Sequence, residues 1–381
     1  MKIALVVPGG VDPSGERRVI PALLALLARL ARRHEVHVFA LAQQDQPGSW
    51  DLAGARIHNI GVGATRWLAL RAICAEHRSH GFQLIQSIWS GSPGWIAVSA
   101  ARVLGVPSLV HVAGGELVAL RELPYGGCLT WKGRMREALV LRAATAVTAA
   151  SAPMLAALTR KGIAAARVPL GVDLDVWPPR EPLRRDPGKP ARLLHIGSLN
   201  RVKDQPTLLR AVRALGAQGL EFKLDIVGED TLGGEIQALA ARWELSTRVR
   251  FHGFLTQREL VPLVDAAHIL MMSSRHEAGP LVLLEAGVRG VPTVGTAVGH
   301  VAEWAPQAAR AVPVGDWAAL ARETADLLRN EDGRLQIARA AWRRAVLQDA
   351  DYTAQAFEKI YGELTASRRS TENVSDANAG S

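Results

Sequence analysis

Apolar runs of strand length alternate with stretches of helical spacing along almost the whole chain, and the alternation is interrupted once. Lys2–Val7 (KIALVV) is a short apolar run, broken by Pro8-Gly-Gly and Pro13-Ser-Gly. Ile20–Arg33 then places apolar residues at helical spacing, and Glu35–Leu41 (EVHVFAL) is a second strand. Strand, Gly-rich loop, helix, strand is a βαβ unit, whose strands must run parallel. The order continues through Leu84–Ser87, a helix after Ser92-Pro-Gly, Pro107–Val112, a helix near Arg134–Ala144, and Thr145–Ala149. Strands covered on both faces read as unbroken apolar runs, and these do. Gly171–Pro190 carries five prolines and several charges, the composition of a boundary. The alternation then restarts: strands at Leu193–Ile196, Phe222–Val227, Val249–His252, Ile269–Ser273 and Pro292–Thr296. Helices at Gln205–Gly216, Glu235–Trp243, Arg258–Ala266 and Pro280–Arg289 separate them.

The fold class is therefore α/β, with two Rossmann-like, doubly wound parallel-sheet domains. A length of 381 residues suits two domains. The first spans 1–172, an interdomain linker 173–190, and the second 191–351. A helix over 352–365 is expected to pack back on the first domain, and 366–381 reads as a disordered polar tail. Ligands of such sheets bind beyond the carboxyl ends of the strands, so both domains can face one central cleft. That layout suits an enzyme that closes on two substrates.

Composition removes several classes. With 48% hydrophobic and 21% charged residues the chain is not a disordered one. Cys74 and Cys128 are too few for a disulfide framework or a Cys-rich zinc site, and read as reduced thiols of a cytoplasmic chain. No stretch of about 18 apolar residues without charge offers a membrane span. Peripheral attachment on the inner face of a membrane stays open. A net charge of +9 first suggests a nucleic-acid partner. Residues 1–177, however, hold 19 basic and 11 acidic residues (+8), whereas 178–381 hold 26 and 25 (+1). Much of the excess lies in two helical stretches, Arg66–Arg78 and Lys132–Arg142, the second beside Trp131. Basic residues interleaved with apolar ones suit an anionic membrane or acceptor better than nucleic acid. A solvated helix face is the plainer alternative.

The segment His276–Gly299 (HEAGPLVLLEAGVRGVPTVGTAVG) carries the sharpest chemistry. Glu277 sits in a loop after a strand, and Gly279, Pro280 and Leu281 open a helix. The free N–H groups and positive dipole end of that helix make a phosphate site. Glu285 stands eight residues after Glu277, between Leu284 and Ala286, where an unpartnered carboxylate is costly. Two acids flanking a phosphate site match the two ends of a nucleotide sugar.

This segment resembles the E-x7-E signature of family 4 retaining glycosyltransferases, which have the GT-B fold. The resemblance makes Glu277 the residue beside the donor sugar and Glu285 the partner of the nucleotide ribose. Gly290-Val-Pro292, Thr293–Thr296 and Gly299 with Glu303 continue the family pattern, with His300 where a second Gly is usual. Leu194–Ala211 (LHIGSLNRVKDQPTLLRA) resembles the family's strand, Gly turn at Gly197 and basic loop. It implies that Lys203 contacts the donor diphosphate. Ser198 replaces a common Arg, so a second cation is missing or is supplied by Arg201. Val168–Trp177 resembles the family's interdomain segment. Its Asp173-Leu-Asp175 also reads as the D-x-D metal site of the other main glycosyltransferase fold, and Asp349 with Asp351 forms another D-x-D. The GT-B fold implies neither metal nor cofactor. In the first domain Gly9, Gly10 and Gly15 form the loop near donor and acceptor, without the dinucleotide G-x-G-x-x-G spacing. Gly114-Gly115 and Glu116 sit where the family often carries His-Gly and an acid. The His is absent, and His111, three residues upstream, reads first as a core or sheet-edge residue.

The implied reaction moves a sugar from a nucleoside diphosphate, UDP or GDP, to a hydroxyl of a glycan or lipid-linked acceptor, with retention. It belongs to polysaccharide, lipopolysaccharide or glycolipid synthesis, without nucleic acid. The alternatives are a GT-B-fold nucleotide-sugar epimerase, or a non-catalytic protein binding nucleotide sugar or an anionic surface. A pyridoxal-phosphate phosphorylase would need a suitable lysine, and the second half offers only Lys189, Lys203, Lys223 and Lys359.

Overall fold

β1 (Lys2–Val7) sends its side chains into two cores. Ile3, Leu5 and Val7 pack on one face of the sheet, Ala4 and Val6 on the other, because successive strand residues point to opposite faces. The same division recurs in β12 (Ile269–Met272), where Ile269 and Met271 enter one core and Leu270 and Met272 another. The computed structural model describes residues 1–63, 65–79 and 81–379, with side chains up to 367. The chain forms two compact units, one of Met1–Leu170 with the segment from Ala350 onward, the other of Gly171–Asp349.

In the first unit β1 is joined by β2 (Glu35–Ala40), β3 (Gly48–Leu52), β4 (Ala55–Asn59), β5 (Leu84–Ile88), β6 (Ser108–Val112), β7 (Ala146–Ala149) and β8 (Ala166–Arg167). The order is β3-β4-β2-β1-β5-β6-β7-β8. Among the strand pairs of the described residues, β3–β4 alone is antiparallel. The second unit holds β9 (Ala191–Ile196), β10 (Phe222–Val227), β11 (Val249–Phe251), β12, β13 (Thr293–Thr296) and β14 (Arg310–Val312). Its order is β11-β10-β9-β12-β13-β14, all parallel. In both sheets the chain builds outward on one side of the first strand and then crosses to the other. The crossings leave switch points between β1 and β5 and between β9 and β12, where doubly wound sheets take their ligands.

The final helix, Ala350–Ala379, buries Phe357 and Tyr361 in the same core as Ile3 and Leu5. Asp351 pairs with Arg29 and Arg32, and Glu358 with Arg33, tying it to the helix Pro21–Leu30 and to the turn that follows it. The backbone stays helical to Ala379, past the end at 365 that the sequence suggests; of the tail expected to be disordered, only 380 and 381 lie outside the described residues. The Pro-rich stretch expected as a linker lies within the second unit. Arg180 N–H donates to the Val288 carbonyl (2.9 Å), Arg185 N–H to Glu331 (2.7 Å), and buried Arg334 to the Leu183 carbonyl (2.6 Å). The hairpin β3–β4 and the helices Trp317–Arg329 and Glu331–Leu347 have no counterpart in the sequence reading. Among the described residues no helix is long and apolar enough to cross a membrane.

Candidate functional site

The loops after β9 and β12 leave neighbouring strands at the switch point of the second sheet, so they run side by side. Ser273 Oγ donates to the Lys203 carbonyl and Arg275 N–H to the Val202 carbonyl, each at 2.7 Å. Asn200 shapes the first loop, its Oδ1 accepting from the N–H groups of Val202 and Lys203 (both 3.0 Å), a common role for Asn in turns. Gly197 lets the Lys203 stem cross it: a Cβ there would lie 3.2 Å from Lys203 Cε. Gly228, after β10, has φ +149°, and a Cβ on it would lie 2.1 Å from the Gly197 carbonyl oxygen. Only glycine fits so close to another backbone.

These constraints bring together two residues 74 positions apart. Lys203 Nζ donates to Glu277 Oε1 at 2.5 Å, and Ser274 Oγ donates to the same oxygen at 2.7 Å. The pair is mostly buried, with 24% and 13% of the side chains exposed. Three residues on, Pro280 stands at the cap position of the helix Leu281–Val288, and among the described residues no side-chain cap bond is made there. Leu281 is the first helical residue, one later than the sequence suggests, with Gly279 ahead of the cap. Gly299 backs this loop: a Cβ on it would lie 2.9 Å from Pro280 Cδ and 3.0 Å from the Glu277 carbonyl oxygen. Glu303 is an anchor, bound by Arg344 (2.5 Å) and His300 (3.3 Å).

Glu285 lies inside the same helix, 5% exposed, and accepts one hydrogen bond, from Gln257 Nε2 at 3.2 Å. Burial pushes its carboxyl up to about 7, against the opposing effect of that bond. His195, on β9, is also buried; its Nδ1–H donates to the Met271 carbonyl (2.9 Å), leaving Nε2 to accept from Gln205 (3.3 Å). Burial lowers this imidazole to about 4, so it stays neutral. Ser274, Gln257, Asn200 and His195 were not singled out in the sequence. Asn200 was legible as a turn residue; Gln257 reaches Glu285 only through the fold.

Arg201 does not join the cluster. Both terminal nitrogens of its guanidinium bind Glu235, at 2.6 and 2.7 Å, on an exposed surface. Its role as a second phosphate cation is not supported by this geometry. Arg201→Ala is expected to change kcat/KM for a nucleotide donor by less than about threefold, the scale of an exposed pair, in donor-saturation kinetics. Asp173 and Asp175 form a turn rather than a metal site: Asp173 Oδ1 accepts from Asp175 N–H (3.0 Å), and its carbonyl from Trp177 N–H (2.8 Å).

In the first unit Gly10 and Gly15 take positive φ in the loop after β1, and Gln43 Oε1 accepts from the N–H groups of Gly10 (2.6 Å) and Val11 (3.0 Å). Glu116 is buried and braces two loops, accepting from the N–H groups of Ser90, Ala113 and Gly114. Burial outweighs these bonds and raises its carboxyl above the usual range. His111 is fully buried on β6, its Nδ1 2.9 Å from Thr148 Oγ1 and its ring edge-on to Phe357. Burial lowers it to about 3. The structure places it in the core, beyond reach of a ligand. Among the described residues His37, His58 and Glu76 have metal-ligand chemistry. The Lys2 ammonium already donates to Glu76 (2.9 Å), and the two imidazoles bond each other (2.9 Å).

Two family models match the chain. Residues 181–344 match "Glycosyl transferases group 1", and residues 19–171 match "Glycosyl transferase 4-like domain". A Salmonella typhimurium protein provisionally named colanic acid biosynthesis glycosyltransferase WcaL is 26% identical over 193 residues, 49% of this chain and 47% of its own length. The chain thus spans about half of that relative. A Bacillus subtilis protein provisionally named glycosyltransferase EpsF is 29% identical over 316 residues, 77% of this chain and 78% of its own. The fold is similar to that of sucrose-phosphate synthase from Thermosynechococcus elongatus (TM-score 0.80, 20% identity, 96% of this chain and all of that one). It is also similar to that of Anabaena HepE, solved in complex with UDP and glucose (TM-score 0.72, 18% identity, the same coverage).

Proposed function

The chain belongs to the group 1 glycosyl transferases, a glycosyl transferase 4-like domain preceding the group 1 domain in a GT-B fold, and on that premise we propose that it is a retaining enzyme that transfers a sugar from a nucleoside diphosphate to a hydroxyl acceptor. The observation that carries this reading is the Lys203–Glu277–Ser274 cluster beside the first turn of the helix Leu281–Val288. Lys203 and the N–H groups of that turn stabilise charge as it develops on the departing diphosphate, usually the largest catalytic contribution. Glu277 orients the sugar and faces the positive charge that builds on it. Glu285 accepts from the ribose hydroxyls. Positive charge comes from the protein, so the chemistry calls for no metal or other cofactor.

We take UDP as the first candidate nucleotide and GDP as the second, the HepE complex with UDP favouring the first. The acceptor is a hydroxyl on a growing polysaccharide, lipopolysaccharide or glycolipid, taken up on the first unit from the cytoplasmic side. The name of WcaL, a colanic acid biosynthesis glycosyltransferase, supports this class. An epimerase would need acid and base groups facing the sugar and no acceptor.

A thermal-shift panel of UDP, GDP and ADP, each with and without its sugar, tests the donor. The cognate nucleotide at 100 times its Kd should stabilise the protein by about 2.7 kcal/mol, and the others by little. No shift with any of them would overturn the proposal.

A further inference from the structure

The helix Trp131–Ala143 of the first unit is turned against the usual pattern. Its buried face holds Gly133, Glu137, Val140 and Leu141. The side facing water carries Trp131, Met135 and Leu139, spaced as i, i+4 and i+8, which are 57%, 50% and 52% exposed. Surface helices normally put polar residues there. The buried carboxylate of Glu137 is held by Ser90 Oγ (2.5 Å) and Arg136 (3.0 Å), so the helix is fixed in this orientation.

Two further exposed indoles belong to the same region. Trp95 lines a hollow of about 700 Å³ with Trp131, Met135 and Leu139. Trp67, 63% exposed, lines a neighbouring hollow of about 610 Å³ at the carboxyl ends of β1 and β2. Arg66 lies in both. The cations Arg66, Lys132 and Arg136 line these hollows, and no acidic residue does. Lys132 Nζ stands 5.9 Å from the Trp131 ring centre. Exposed apolar residues gathered at one place mark an interaction site.

We propose that this face docks on an anionic lipid bilayer. Indoles settle at the boundary between headgroups and acyl chains. Met135 and Leu139 enter the apolar side, and Arg66 and Lys132 meet the negative surface potential, Arg136 being paired with Glu137. Charge selects this occupant over a second copy of the chain, because a two-fold contact would set each copy's cations against the other's. The proposal goes beyond the sugar-transfer reading and does not depend on it.

Flotation of the full chain with phosphatidylcholine vesicles, with and without 30% phosphatidylglycerol, tests the surface. Binding is expected only to the anionic vesicles, to weaken at least tenfold in 0.5 M salt as screening sets in, and to shift Trp emission to the blue. Lys132→Glu and Arg66→Glu should each lower affinity about fivefold or more. Trp131→Ser with Leu139→Ser should lower it more than tenfold. All four positions are exposed, so the melting temperature and the nucleotide-induced shift should be unchanged, which separates a failed surface from a failed donor site. Equal binding to neutral vesicles, no binding at all, or variants that bind like the wild type would overturn the proposal. So would a Trp131-dependent dimer in sedimentation velocity.

Discussion

Glu277→Gln and Lys203→Met are each expected to lower the rate of donor cleavage by about 10²–10³-fold, the usual effect of removing one group aimed at developing charge. The two side chains also hold each other in place, at 2.5 Å and mostly out of water. Each single variant leaves one charge without its partner, at about 2 kcal/mol for a pair not fully buried, below the 3–5 kcal/mol of a buried one. The double variant Lys203→Met/Glu277→Gln has no orphaned charge, so unfolding by denaturant should show most of that stability regained. Its rate should stay at or below that of either single variant, because the groups that face the diphosphate and the sugar are still missing. Stability and rate therefore part company only if the pair is catalytic. Recovery of the rate in step with stability in the double variant would reduce Lys203 and Glu277 to a structural ion pair.

The contrast between Lys203 and Arg201 shows what a sequence can and cannot disclose about such a site. Both lie in one basic loop after a Gly turn, and no local rule separates them. The helix Glu235–Arg242 separates them, its first residue taking the Arg201 guanidinium. The two sheets were legible because buried parallel strands announce themselves as apolar runs; β1 is buried at all six positions. The hairpin β3–β4 was not, because β3 is a mostly exposed edge strand and its turn is Ala53-Gly54. Both turn residues have positive φ, 51° and 78°, a conformation that Asn-Gly would have signalled and Ala-Gly does not. The Pro-rich stretch misled in another way. Its composition matches a free linker, yet the N–H groups of Arg180 and Arg185 find acceptors on Val288 and Glu331 of the second unit, and proline has no N–H to satisfy. Glu116 was legible in part: an acid after two glycines stands out in the sequence, and the three backbone N–H groups that donate to its carboxylate do not.

Glu285→Gln is expected to stabilise the free protein, by an amount that depends on pH. The folded carboxyl titrates near 7 and the unfolded one near 4.5. Between these values the folded state holds a proton that the unfolded state has lost. Stability from this group is therefore fully present below about 4.5, falls as pH rises toward 7, and is level above. A shift from 4.5 to about 7 corresponds to about 3 kcal/mol. Glutamine is neutral throughout, so the two proteins should be equally stable at pH 4.5 and differ by about 3 kcal/mol at pH 8, in paired denaturant titrations. Carrying the comparison across pH removes every other titrating group, since all are common to both. A constant difference would mean that water reaches the carboxylate and that its burial is not what sets its charge. The cost is what a ribose would relieve. Hydroxyl donors stabilise the ionised form, so above pH 7 a bound nucleotide should stabilise the wild type more than Glu285→Gln. Below pH 5, where both side chains are neutral, that gap should close. A destabilising carboxylate kept in a helix that alanine or leucine would suit better is thus tied to the ligand that satisfies it.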